Sequence, residues 1–250
     1  MPGRPQANRR VALVTGAARR VGRSIALHLA DAGYDVAFTY LSSLTEARSL
    51  ERQIRSRRRQ VVAIRADLTD PSVAVQTIRQ VFADFSPRLD VLVNNASLYE
   101  PDATAEKQLE QMRRFWAIHV ESPLLLCRAM SSKLRAARGH VINMVDSLTE
   151  RPLPRYMGYC ASKGGMRTLT LGLARELAPR VTVNGISPGV VMWPEQTPQR
   201  IRRQYLRRVP LARAGTPQDV ARTVLFLCEH GGYITGQILR LDGGARAGVN

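Results

Sequence analysis

The chain has 250 residues, 44% of them hydrophobic and 6% aromatic, which supplies enough apolar material for one large α/β core and excludes wholesale disorder. No apolar run approaches the ~20 residues of a bilayer crossing, and the basic start MPGRPQANRR lacks the apolar stretch of a secretory signal, so a cytoplasmic chain with no membrane partner is expected. The formal charge of +17 comes from 37 Lys+Arg against 20 Asp+Glu; the arginines are spread over many segments without a finger, RNP or basic-zipper pattern, which speaks against nucleic acid and for a solvated surface or a field that attracts small anions.

Short β-rich runs alternate with longer helical patterns, and no repeat is visible. The reading begins with a strand at 11–14 that ends at Thr15-Gly16, a helix at 22–32 closed by Gly33, a strand at 34–40, a polar helix at 44–58 and a strand at 61–64. Asp70-Pro71 is a cap followed by a first-turn proline, so a helix starts there. A strand at 89–93 precedes one or two helices over 106–135 and a strand at 141–145. A helix at 158–178 carries Met166, Leu169, Leu173 and Leu177 on one stripe, and a strand at 181–186 follows. Thr216-Pro217 repeats the cap signal before a helix at 217–228, and the last strand covers 237–241. Residues 1–9 read as a flexible start, and the three widely spaced cysteines, Cys127, Cys160 and Cys228, fit neither a disulfide framework nor a metal site. Cys160 reads as a small buried thiol.

Apolar strands separated by helices predict a parallel sheet covered on both faces, with ligand bound beyond the carboxyl ends of the strands where their order reverses. The polar residues that collect at such ends are Thr15-Gly16, Tyr40 to Ser43, Asp67, Asn94-Asn95, Asp146 and Pro188-Gly189. The turn TGAARRVG at 15–22 joins strand to helix; Gly16 and Gly22 would let the backbone approach a pyrophosphate, which the helix N-terminus favours.

TGAARRVG, Asp67, NNAS at 94–97, Tyr159 with Lys163 in YCASK, SPG at 187–189 and LDGG at 241–244 occur in the order of the short-chain dehydrogenase/reductase family, which the chain resembles over essentially its whole length. The resemblance implies one Rossmann-type doubly wound α/β domain over 1–250, a seven-stranded parallel sheet with helices on both faces, a nicotinamide cofactor, no metal, and a homotetramer. It assigns cofactor contacts to Gly16, Arg19, Arg20, Gly22, Tyr40, Ser42, Ser43, Asp67, Leu68, Asn95, Ala96, Tyr159, Lys163, Pro188 and Gly189. The segment after the second strand, Tyr40-Leu41-Ser42-Ser43, has no carboxylate for the ribose hydroxyls; Asp35 is at the wrong end of that strand and Glu46 falls inside the next helix. Serine hydroxyls with Arg19 and Arg20 nearby suit a 2′-phosphate, so NADPH is expected, whether or not the serines also cap the helix.

Tyr159 and Lys163 are four apart and share a helix face. An ammonium there favours the phenolate and is expected to lower the tyrosine pKa. The family's serine, thirteen residues before the tyrosine, is replaced by Asp146, with Ser147 adjacent. Either Asp146 faces the phenol and opposes the lysine, keeping a proton donor protonated, or a local bulge brings in Ser147. Aspartate at that place, TGxxxRxG in the glycine turn and IHVESP at 118–123 together resemble the pteridine reductases, including those that act on dihydromonapterin and dihydrofolate. That resemblance makes Asp146, Tyr159 and Lys163 catalytic and implies a small pterin or folate substrate held by Arg20, Ser97, Tyr99, Asp146, Tyr159, Met192 and Trp193. Tyr99 would stack on the pterin or form an aromatic wall of the cleft. His119, where relatives have asparagine, would shape a relay water or be structural. Residues 190–212 form the substrate loop, with Arg207 and Arg208 either meeting a carboxylate tail or simply exposed. The alternative reading is a generic carbonyl reductase, for example of 3-oxoacyl carrier protein, whose acidic carrier would suit the basic surface.

Overall fold

The computed structural model describes residues 9–194 and 196–246; of the predicted flexible start, residues 1–8 lie outside the described residues. Seven parallel strands form one sheet in the order β3-β2-β1-β4-β5-β6-β7. They are β1 (Val11–Val14), β2 (Asp35–Tyr40), β3 (Val61–Arg65), β4 (Val91–Asn94), β5 (His140–Met144), β6 (Thr182–Pro188) and β7 (Ile238–Leu241). The helices are α1 (Arg20–Asp31), α2 (Leu44–Ser56), α3 (Pro71–Phe85), α4 (Ala105–Trp116), α5 (Ser122–Ala137), α6 (Met157–Leu177), α7 (Gln199–Leu206) and α8 (Pro217–Glu229).

Strand alternation sorts the core into two layers. Ala12 and Val14 of β1 face one side, with Ile25 and Leu29 of α1, Leu50 and Ile54 of α2, and Val224 and Leu227 of α8. Val11 and Leu13 face the other, with Ile78 and Phe82 of α3, Met130 and Leu134 of α5, and Leu173 and Leu177 of α6. Each wholly buried leucine or isoleucine contributes roughly 1.5–3 kcal/mol relative to an exposed one. With both faces covered, the strands carry almost unbroken apolar runs. Caps set the helix starts: Asp70 accepts from the Val73 amide ahead of Pro71, and Thr216 and Asp219 form a reciprocal capping box on α8.

Most element boundaries lie within two residues of the expected ones, and four departures have a local cause or bear on the site. α1 begins at Arg20 rather than 22, because Arg20 turns the chain with a left-handed φ of +54°. β4 is shifted to Val91–Asn94: Asp90, before it, spends its carboxylate on the Val11 amide and on an ion pair with Arg88. The 106–135 pattern divides into α4 and α5 around a π-helical turn at Ala117–Glu121. Pro123 has no N–H to give to the carbonyl four residues back, that of His119, and its ring crowds that oxygen, so the turn widens there. The substrate loop expected over 190–212 contains a real helix, α7.

Candidate active site

The order reverses between β1 and β4, and the turns that follow these two strands are sewn together. The Thr15 hydroxyl accepts from the Asn95 and Ala96 amides at 2.9 and 3.0 Å, and Asn95 Nδ2 donates to the Thr15 and Gly16 carbonyls at 2.9 and 3.1 Å. Gly16 has φ +62°, and a Cβ on it would come within 2.9 Å of Ala96 Cα. A Cβ on Gly22 would meet Asn95 Nδ2 and the Gly16 carbonyl, each at 2.5 Å. These two positions therefore need glycine, one for backbone conformation and both for close approach. Gly22→Ala is expected to push the turn apart and weaken dinucleotide affinity about tenfold, read by fluorescence titration, with a lower Tm. Unchanged affinity would show that this turn is not the phosphate cradle.

Arg19 and Arg20 lie within the turn, both exposed, and neither forms an ion pair among the described residues. At the end of β2, Ser43 occupies the cap position of α2 but its side chain makes no capping hydrogen bond. Its hydroxyl, with that of exposed Ser42 beside it, is thus available to a ligand. Asp35 sits at the opposite end of β2, bound to the Gln60 amide at 2.8 Å, and Glu46 lies within α2, as the sequence suggested for both. Asp67 accepts from the Thr69 amide and hydroxyl, shaping the turn after β3, and the Leu68 carbonyl takes the Ser122 hydroxyl at 2.8 Å.

At the far side of the switch, Asp146 lies two residues beyond the end of β5 and caps a short 3-10 turn at Ser147–Thr149. Its Oδ1 accepts from the Leu148 amide at 2.8 Å and its Oδ2 from the Tyr159 hydroxyl at 2.7 Å. Asp146, not Ser147, is thus the partner of the phenol. Burial raises the Asp146 pKa; the Leu148 and Tyr159 hydrogen bonds and the positive charges of Lys163 and Arg246 work against that rise. Burial, then the Asp146 charge, lifts the Tyr159 phenol well above its ordinary value. Asp146 thus acts on the phenol in the direction read from the sequence, and burial acts with it. The Lys163 ammonium donates to the Met144 carbonyl at 2.7 Å and lies 6.0 Å from the centre of the tyrosine ring. Burial brings Lys163 itself down to about 8, against the opposing pull of Asp146.

His119 is wholly buried in the π-helical turn, with Nε2 2.8 Å from the Ser97 hydroxyl and Nδ1 2.8 Å from the Ser162 hydroxyl. Tyr99 is half-exposed, stacked on Tyr156 at 4.8 Å and edge-on to Tyr159 at 4.9 Å. Tyr156 and Asp102 were not singled out in the sequence. Tyr156 is three residues before Tyr159, a spacing that could have flagged it. Asp102 accepts from the Met157 and Gly158 amides at 3.0 and 3.1 Å and so ties the Tyr99 segment to the start of α6. Its partners are over fifty residues distant, so no local capping pattern betrays it.

Pro188 ends β6 and Gly189 follows it against α7: the Tyr205 hydroxyl accepts from the Val190 amide at 3.0 Å, and a Cβ on Gly189 would meet that hydroxyl at 2.7 Å. Trp193 packs edge-on against Tyr205 at 5.4 Å, with the Arg202 guanidinium over its ring, while Met192, Arg207 and Arg208 are exposed. Cys160 is buried beside Phe115 and Tyr159.

The family model described as enoyl-(acyl carrier protein) reductase matches residues 16–246. The chain is 36% identical over 243 residues to the 3-oxoacyl-[acyl-carrier-protein] reductase FabG of Staphylococcus aureus, covering 93% of this chain and 96% of that protein. It is 32% identical over 275 residues to pteridine reductase 1 of Leishmania tarentolae, covering 94% of this chain and 95% of that protein. Among solved structures, a blue fluorescent protein from a metagenomic library, crystallised in complex with NADPH, superposes with a TM-score of 0.89 at 33% identity, over 97% of this chain and 100% of the other.

Proposed function

The chain belongs to the short-chain dehydrogenase/reductase family, and from that premise we propose that it is an NADPH-dependent reductase of dihydropterins, dihydrofolate included, acting on the C=N bond of the ring. The observation that carries this reading is the buried Asp146 carboxylate 2.7 Å from the Tyr159 hydroxyl. A carboxyl group at that position can, when neutral, pass a proton through Tyr159 to a ring nitrogen and, when ionised, accept from the N–H donors of an amino-pyrimidine edge. It is a poor partner for a carbonyl oxygen, which wants a neutral hydroxyl donor.

NADPH fits the residues at the sheet switch. No side chain caps the start of α1, so its first N–H groups are open to a pyrophosphate, and Arg19, Arg20, Ser42 and Ser43 offer donors for a 2′-phosphate. When bound, the cofactor supplies the hydride. Lys163 would hold the nicotinamide ribose, Tyr99 would cover the flat substrate ring, and Tyr159 and Asp146 would handle the proton that goes to N5.

The reading of a 3-oxoacyl carrier protein reductase has its own support in the 36% identity to FabG, against 32% to pteridine reductase 1. Both values describe the shared scaffold, whereas substrate choice rests on a few side chains. A panel of dihydropterins and 3-oxoacyl thioesters, assayed by NADPH and NADH consumption, separates the two. The expected result is turnover of dihydropterin with NADPH and much slower use of NADH. Preferential reduction of the thioester would transfer the assignment to the carbonyl reading.

A further inference from the structure

The Ser97–His119–Ser162 chain has a single consistent set of proton positions. Ser162 donates its one hydroxyl proton to the Tyr159 carbonyl at 2.7 Å. With that proton used, Ser162 can only accept at its 2.8 Å contact with His119 Nδ1, so Nδ1 carries the imidazole proton. The opposite tautomer would turn the Ser162 proton to Nδ1 and leave two oxygens 2.7 Å apart with no proton between them. A neutral ring protonated on Nδ1 has a bare Nε2, and the hydroxyl 2.8 Å away from it belongs to Ser97. Ser97 must therefore donate inward; the other acceptor in its reach, the Leu98 carbonyl, is farther off at 3.3 Å. The imidazole is wholly buried and held by a hydrogen bond at each nitrogen, with Phe115 parallel to it at 6.1 Å and Tyr159 edge-on at 5.6 Å. Burial and the positive charge of Lys163 both oppose a second proton on the ring.

We propose that His119 is a positioning residue that draws the Ser97 hydroxyl proton inward, so that Ser97 Oγ meets the bound substrate as an acceptor for a ring N–H. Ser97 follows β4 at the sheet switch and is exposed there, so its remaining lone pairs face the ligand side. An amino-pyrimidine ring supplies the required N–H. A 3-oxoacyl thioester offers only acceptor oxygens around its reacting carbon, and two acceptors facing one another are unfavourable. The identity of the ligand rests on the dihydropterin reading; the tautomer does not.

The test has two parts. Long-range proton–nitrogen NMR on protein labelled in its four histidines, with His119→Asn used for assignment, reads the tautomer of the intact chain. The expected spectrum shows His119 neutral and protonated on Nδ1, and Ser97→Ala shifts its Nε2 resonance. An Nε2-protonated or doubly protonated His119 at neutral pH would overturn the proposal, whatever the substrate. In kinetics, Ser97→Ala and His119→Asn are each expected to raise KM for dihydropterin about tenfold with a smaller change in kcat, and the double variant should be no worse than Ser97→Ala alone. Multiplying effects in the double variant would mean that His119 acts by another route. If the wild-type protein reduces no dihydropterin at all, the substrate assignment fails, and the NMR result still decides whether His119 orients Ser97.

Discussion

Tyr159→Phe is expected to bind NADPH with near wild-type affinity and to turn over dihydropterin about 10²–10⁴-fold more slowly, the range associated with loss of a positioned general acid. The substitution removes one oxygen and leaves the ring, which packs with Phe115 and Cys160 and meets Tyr99 edge-on, so the local fold should persist. What disappears is the hydroxyl bonded to Asp146, the proton donor proposed above. Asp146 would keep the Leu148 amide as a partner but lose its other one, at a stability cost of about 1–3 kcal/mol for a buried polar group left partly unsatisfied. Single-turnover measurement at saturating NADPH, with cofactor affinity determined separately, divides chemistry from binding. Turnover within threefold of wild type would remove Tyr159 from the proton path and leave Asp146 or water to act alone.

The fold was largely legible because parallel strands buried on both faces read as apolar runs, and because proline and glycine mark helix ends. Asp70-Pro71 and Thr216-Pro217 announce α3 and α8 by the same chemistry that caps them. The site was legible where one residue type is required for a reason that survives translation into sequence: glycine at 16 and 22, and Tyr159 with Lys163 one helical turn apart. Its electrostatics were less so. Four-residue spacing places Lys163 on the face of Tyr159, but it does not reveal that the ammonium is taken up by the Met144 carbonyl. Nor does it show that burial is the largest cause of the phenol's raised pKa, ahead of the Asp146 charge. Tyr156 and Asp102 act through contacts between α6 and the segment after β4, and long-range pairing leaves no periodic trace. Arg20 is a local departure with a structural consequence: an arginine accepts the left-handed φ of +54° at about 1–2 kcal/mol. The same residue adds an exposed positive charge to the glycine turn proposed to hold the cofactor phosphates.

Asp146→Asn is expected to slow dihydropterin reduction about 10–100-fold and to flatten its pH dependence. Burial raises the Asp146 pKa, so its carboxyl keeps a proton to higher pH than an exposed aspartate does. In that neutral form its O–H can donate to Tyr159 Oη, which frees the phenolic proton for the substrate nitrogen and can then replace it. In the ionised form the carboxylate accepts the phenolic proton and holds it away from the substrate. The wild-type rate should therefore fall as pH rises through the elevated Asp146 pKa. Asparagine can orient Tyr159 through an N–H at any pH but has no proton to pass on, so the variant should be slow throughout and lack that limb. Stability should move the other way. An acid whose pKa is higher in the folded state than in the unfolded state binds more protons when folded, so it subtracts stability as pH rises between the two values. Asparagine carries no such penalty: the variant should melt above wild type at neutral pH, and the difference should vanish below the ordinary aspartate range. Asp146→Ser supplies the remaining arm, because a neutral hydroxyl restores the donor that a carbonyl oxygen prefers. It should lose dihydropterin reduction while leaving NADPH binding intact. If instead it keeps full dihydropterin activity and gains in ketone reduction, the carboxylate is not what selects the substrate, and the carbonyl reading takes its place.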